Sequence, residues 1–192
     1  MDIEYHLQRL TPHRLDALAI LGLVLQLWMT WGESRPMQIC VDGKLVIDGM
    51  TSTFTNPVLE AGMLHARAML EFLGLKARHG ALVSITPSER RPDDAGIEKI
   101  PNGNVYLSIV TPTQAKSADP LDPAGAEASL VGVLDAAGKG MAHLTIEYPS
   151  RPLHVQHLGK SAKLIQVLTE RYVYDALNRK RPALPLEARS RA

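Results

Sequence analysis

The chain has 192 residues, 45% of them apolar and 21% charged, the composition of one ordinary folded domain. Twenty-one Lys and Arg stand against 20 Asp and Glu for a net charge of +1, which argues against a protein built around a broad basic nucleic-acid surface. The lone cysteine, Cys40, rules out an internal disulfide and a multi-cysteine zinc site, and the composition is neither collagen-like nor disordered.

Taken in chain order, the first predicted element is a helix over 12–32. Thr11-Pro12 offers a side-chain acceptor at N-cap and a proline at N1, where a missing N–H costs nothing, and Gly32 closes the helix. Its apolar run, Ala17 to Trp31, would reach about 22 Å, short of the ~30 Å hydrocarbon core of a bilayer. A buried core helix is expected, with no membrane span. No cleavage pattern follows Trp31, and the absence of an export signal together with the single cysteine favours the cytoplasm.

Asp42-Gly43 between Ile39-Cys40-Val41 and Leu45-Val46-Ile47 predicts a two-residue β-hairpin, because a type I′ turn needs positive φ at both centres. Asn56-Pro57 predicts a second helix over about 57–76, ending near Gly74 to Gly80, with Lys76, Arg78 and His79 in its last turns near the negative end of the dipole. The segment 86–96 is polar and proline-bearing, a surface loop, and 111–123 reads the same way. Between them Asn102-Gly103 predicts a second hairpin, joining 97–100 to 105–110, with Pro101 placing one strand at an edge. Asp122-Pro123 opens a third helix over 123–138. Ser150-Arg151-Pro152 opens a fourth over 152–180, whose stripe includes Leu158, Leu164, Ile165 and Leu168. The fold expected is mainly α: a single-domain bundle of about four helices over residues 1–180 with one or two inserted β-hairpins, and a basic tail at 181–192.

Polar residues inside the second helix are the first place to look for chemistry. Glu60, Leu64, Arg67 and Glu71 share one face, and His65 shares another with Met69 and Phe72. Two readings compete: an interior polar network, or a surface Arg67–Glu71 or Arg67–Glu60 pair with His65 satisfied by a backbone carbonyl.

The blocks HARAMLEFLG, starting at His65, and GKGMAHLT, from Gly138 to Thr145, resemble a group of uncharacterised bacterial helical proteins. These are distantly similar to the HEPN superfamily, the higher-eukaryote-and-prokaryote nucleotide-binding helical proteins. The resemblance covers about 20 residues and implies a bundle in which His65, Arg67 and His143 approach one another. HEPN ribonucleases use an Arg-x(4–6)-His motif, the His acting on the ribose 2′-OH and the Arg steadying the phosphate. Arg151 to His157 matches that spacing, although Pro152 stands where a polar residue often follows the family's Arg. The candidate catalytic residues are therefore His65, Arg67, His143 and Arg151.

Other patterns are weaker. His154 and His157 lie three apart, but no further metal ligand follows by spacing. Leu158-Gly159-Lys160-Ser161 resembles the end of a phosphate-binding loop, yet His154 occupies the position of the required earlier glycine. Cys40 in a predicted strand reads as a small buried hydrophobe. No cofactor and no metal are expected. The leading functional reading is a self-associating or partner-binding module, because the first helix with Trp28 and Trp31 exceeds what one small core hides. A homodimer or a protein partner is the expected assembly. The alternative is a HEPN-like metal-independent ribonuclease or nucleotide-binding protein acting on RNA.

Overall fold

In a computed structural model, which describes residues 2–141 and 155–183, the chain is mainly helical with three two-stranded antiparallel hairpins. The first helix, α1, runs Ile3–Trp31, nine residues earlier than its predicted start. Asp2 is the true N-cap and accepts from the Tyr5 N–H at 3.0 Å. Thr11 and Pro12 lie inside the helix, where a proline normally breaks the hydrogen-bond ladder. The break is absorbed by a wide i→i+5 turn over His6–Leu10. The N–H of Thr11 turns back to the His6 carbonyl and Pro12 has none to give, so the Leu7 carbonyl accepts from the buried Tyr174 hydroxyl at 2.7 Å.

At 29 residues, about 43 Å, α1 is long and apolar enough by length and composition to cross a membrane. One side of it supplies Leu7, Leu15, Leu18, Leu21 and Leu25 to the core. Leu21 rests on Gly62 so closely that a Cβ there would sit 2.7 Å from the Leu21 Cβ.

The hairpin of β1 (Pro36–Val41) and β2 (Lys44–Met50) turns at Asp42 (φ 51°) and Gly43 (φ 74°), as its sequence predicts. Helix α2 is Thr51–Leu73, so it begins six residues before the predicted proline start and keeps Pro57 within it. Its start is set from outside: Thr51 is clamped to Arg35 through both backbone directions, N–H to carbonyl at 2.7 Å and Arg35 N–H to Thr51 Oγ1 at 3.0 Å. Ser34 Oγ accepts from the Ser52 N–H at 3.2 Å. A cap supplied by a residue eighteen positions back cannot be read from local spacing.

Gly74 (φ 91°) stops α2, and the residues expected in its last turns form a hairpin instead, β3 (Leu75–Arg78) with β4 (Ala81–Ser84). His79 and Gly80 both take positive φ at that turn, so residues 76–79 lead into a hairpin turn and do not close the helix. The Gly74 carbonyl accepts from Ile85 and the Leu73 carbonyl from Val110, which brings Ile109 against the glycine. The Asn102-Gly103 hairpin is present but minimal: β5 (Pro101–Asn102) and β6 (Val105–Tyr106) are two residues each, and Ile97–Lys99 is a 3₁₀ turn. The presumed loop at 111–123 contains α3 (Pro112–Lys116), capped by a reciprocal Thr111–Gln114 box.

Helix α4 (Pro123–Asp135) begins as predicted, with Asp122 accepting from the Gly125 N–H at 2.9 Å, and continues through a wide turn to Met141. Helix α5 (Val155–Thr169) continues through a wide turn over Glu170–Asp175 and stops short of the expected residue 180. Lys160 bridges it to the start of α4 through Asp119 and Asp122, both at 2.7 Å. The buried apolar residues of α1, α2, α4 and α5 belong to one continuous core with Leu75, Leu82, Ile97, Ile100 and Val110.

Two substitutions probe these joints. Tyr174→Phe deprives the Leu7 carbonyl of its donor and should lower unfolding free energy by about 1–3 kcal/mol in urea titration. Gly74→Ala meets both a left-handed backbone and Ile109, whose Cβ would lie 2.6 Å away, and should lower it by about 2–4 kcal/mol.

Candidate functional site

Extending α1 back to Ile3 changes which side chains face α2. His6, Leu10, Thr11 and Arg14 line a cavity of about 410 Å³ together with Met69, Glu71 and Phe72 of α2 and with Lys76, Glu89 and Arg90. A wide helical turn forms part of the wall, as is frequent at functional sites.

Arg14 Nη1 lies 3.3 Å from His65 Nδ1. A guanidinium can only donate, so Nδ1 accepts and His65 is held neutral, with its proton on Nε2. His13 meets the same ring edge-on at 5.4 Å between centroids. Burial pushes the His65 imidazole below its ordinary value of 6.5, and the charges of Arg14 and His13 add to the effect. Burial also lowers His6, again with Arg14 contributing. The charge of one guanidinium thus disfavours protonation of both imidazoles.

The other charges of the wall are matched. Lys76 and Arg78 converge on Glu89, which stands at about 2, chiefly through its hydrogen bond from Lys76. Arg90, only 9% exposed, is held by Glu98 at 2.6 Å and by the Glu71 carbonyl at 2.9 Å. Asp94 turns its carboxylate to the Arg91 N–H at 2.8 Å.

The residues singled out from sequence fall differently. His65 engages α1 and not a backbone carbonyl. Arg67 forms the i,i+4 pair with Glu71 at 2.8 Å on a half-exposed surface. Both are on α2, but they are directed to different partners. His143, Arg151 and His154 lie outside the described residues. His157 Nδ1 donates to Ser129 Oγ at 3.0 Å, because the serine proton goes to the Gly125 carbonyl at 2.7 Å. Gly159-Lys160-Ser161 is helical, with the Ser161 hydroxyl on the Leu158 carbonyl, so it is no phosphate loop. Cys40 is exposed, contrary to its reading as a buried hydrophobe. Among the described residues no group of three His, Cys, Asp or Glu side chains converges as a metal site. Sequence reasoning missed Arg14 and His6, because starting the helix at Pro12 put His6 outside it; the spacing His6, Leu10, Arg14 was the available signal.

A second feature lies at the opposite end of α1. Among the described residues, the β1–β2 arm is hydrogen-bonded to the rest of the chain at its base. Val41, Leu45 and Val46 are 55, 53 and 60% exposed, and Ile47 and Met50 are also open. Trp28 and Met29 in the last turn of α1 and Phe54 in the first turn of α2 extend this exposed apolar surface at the arm's base. No protein-family description, curated protein or solved structure matches the chain.

The depressed histidines give the site a pH signature. As pH falls through 6.5, the unfolded chain protonates at these rings before the native one does. Stability therefore declines from there to the native midpoints and levels below them. In a proton–carbon correlation titration both rings should show midpoints below 6.5, and Arg14→Gln should raise both; unmoved midpoints would separate Arg14 from the histidines.

Proposed function

We propose that the chain is a self-associating module, a single helical bundle over 1–180 with a basic tail, whose copies join through the β1–β2 arm and the adjoining end of α1. The observation that carries this reading is the arm itself. A lone two-stranded hairpin is marginal in water, and this one leaves Val41 at the end of β1 and Leu45, Val46, Ile47 and Met50 of β2 open.

A second copy is the occupant that fits. The arm carries Asp42, Lys44 and Asp48, a net charge of only −1 with Arg35 at its base, so repulsion between two arms is slight. Eight open side chains per copy (Trp28, Met29, Val41, Leu45, Val46, Ile47, Met50 and Phe54) offer about 1 kcal/mol each for the exposed half. Doubled by two-fold symmetry, that reaches the order of the ~4–15 kcal/mol lost on association. The five side chains of the arm alone reach about 10 kcal/mol on the same count, inside that range, and the helix ends carry the sum to its upper end. The ribonuclease reading has no comparable support, since Arg67 is committed to Glu71 and His65 to Arg14.

Sedimentation velocity tests this directly. The wild-type chain should form a concentration-dependent dimer, and Leu45→Lys with Val46→Lys should be monomeric with an unchanged circular dichroism spectrum. A wild-type monomer at high concentration overturns the proposal. A dimer that survives both lysines removes the arm from the interface. A chain that stays monomeric yet floats with phosphatidylcholine vesicles would assign the apolar end to a lipid surface instead.

A further inference from the structure

The cavity against α1 is remote from the arm and has its own chemistry. Of the cations lining it, Lys76 is paired with Glu89 and Arg90 with Glu98, whereas Arg14 has no carboxylate partner among the described residues. Among the described residues its side-chain hydrogen bond is to Nδ1 of His65 at 3.3 Å, near the outer limit for such a bond. A half-buried guanidinium with a planar fork and one weak acceptor is an incomplete recognition group, because that fork matches a carboxylate through two parallel N–H donors. Beside it Met69 and Phe72 supply an apolar wall, and His6 adds a ring nitrogen able to give or take a single hydrogen bond. A few convergent polar groups over an apolar wall, in a cavity of about 410 Å³, is the usual make-up of a small-molecule site.

We infer that this cavity binds a small organic monoanion, its carboxylate held by Arg14 and its apolar body lying against Met69 and Phe72. The ligand carries one negative charge because one guanidinium is left unmatched. The other lining cations, Lys76 and Arg90, are already engaged by Glu89 and Glu98, so a second ligand charge would have to compete with those carboxylates. Carboxylate binding draws Arg14 Nη2 and Nε, leaving Nη1 to His65, so the existing contact need not break.

Sodium hexanoate serves as the probe, with hexan-1-ol and hexylamine as neutral and cationic matches of equal length. Titrated into the full chain at constant ionic strength, hexanoate should give saturable amide shifts at His6, Arg14, Met69 and Phe72. It should bind about tenfold or more tightly than hexan-1-ol, with hexylamine weakest, because a charge-assisted hydrogen bond is worth at least that factor. Arg14→Gln should remove the preference for hexanoate while leaving the hexan-1-ol affinity where it was. Equal binding of hexanoate and hexan-1-ol to the wild type, or shifts confined to other residues, overturns the inference even if the variant does not fold. So does a folded Arg14→Gln chain that keeps the preference.

Discussion

A carbonyl that its own helix cannot satisfy ties the two ends of this protein together. Pro12 leaves the Leu7 oxygen without a backbone donor, and the Tyr174 hydroxyl reaches across from the far end of the chain to supply one, with both side chains buried. An unpaired carbonyl at that depth would cost a substantial part of the stability of a domain this size. The wide turn that accommodates the proline also sets the azimuth of everything before it, including His6 relative to Arg14. Close packing of Leu21 on Gly62 then fixes α1 against α2, so the cavity between them is a product of that one repaired break.

What could be read from sequence divides along the reach of the determining interaction. The Asp42-Gly43 turn and the Asp122-Pro123 start were legible because each is decided within four residues by backbone sterics and a side-chain cap. The starts at Thr11-Pro12 and Asn56-Pro57 were not, since both prolines lie inside helices. One is rescued by a wide turn and the distant Tyr174; the other follows a start set by Ser34 and Arg35. The mainly helical character survived these errors because it rests on long apolar periodicities. The site did not. His65 was found as a polar residue on an apolar helix, but its partner Arg14 sits fifty-one positions away and becomes visible only once α1 is laid beside α2.

Along α1 the chemistry changes character from one end to the other. Near its start, charged and imidazole groups are drawn partly out of water, and that burial, with the Arg14 charge adding to it, lowers the imidazoles of His6 and His65. Near its end, Trp28 and Met29 stand open beside an arm of apolar strands. The middle is committed to the core through Leu15, Leu18 and Leu21, which accounts for a helix that reads as apolar throughout yet serves three environments.

The arm also contains its own limit. Ile39 faces Ile47 and Cys40 faces Leu45, so Val46 is an extra residue that bends β2, and β1 opens on Pro36, which has no N–H to lend to a neighbouring strand. Neither margin of the hairpin offers the regular row of donors and acceptors from which strands stack without end. In the self-association proposed above, two arms would therefore meet face to face and not edge to edge, which denies a third chain an edge on which to add a strand.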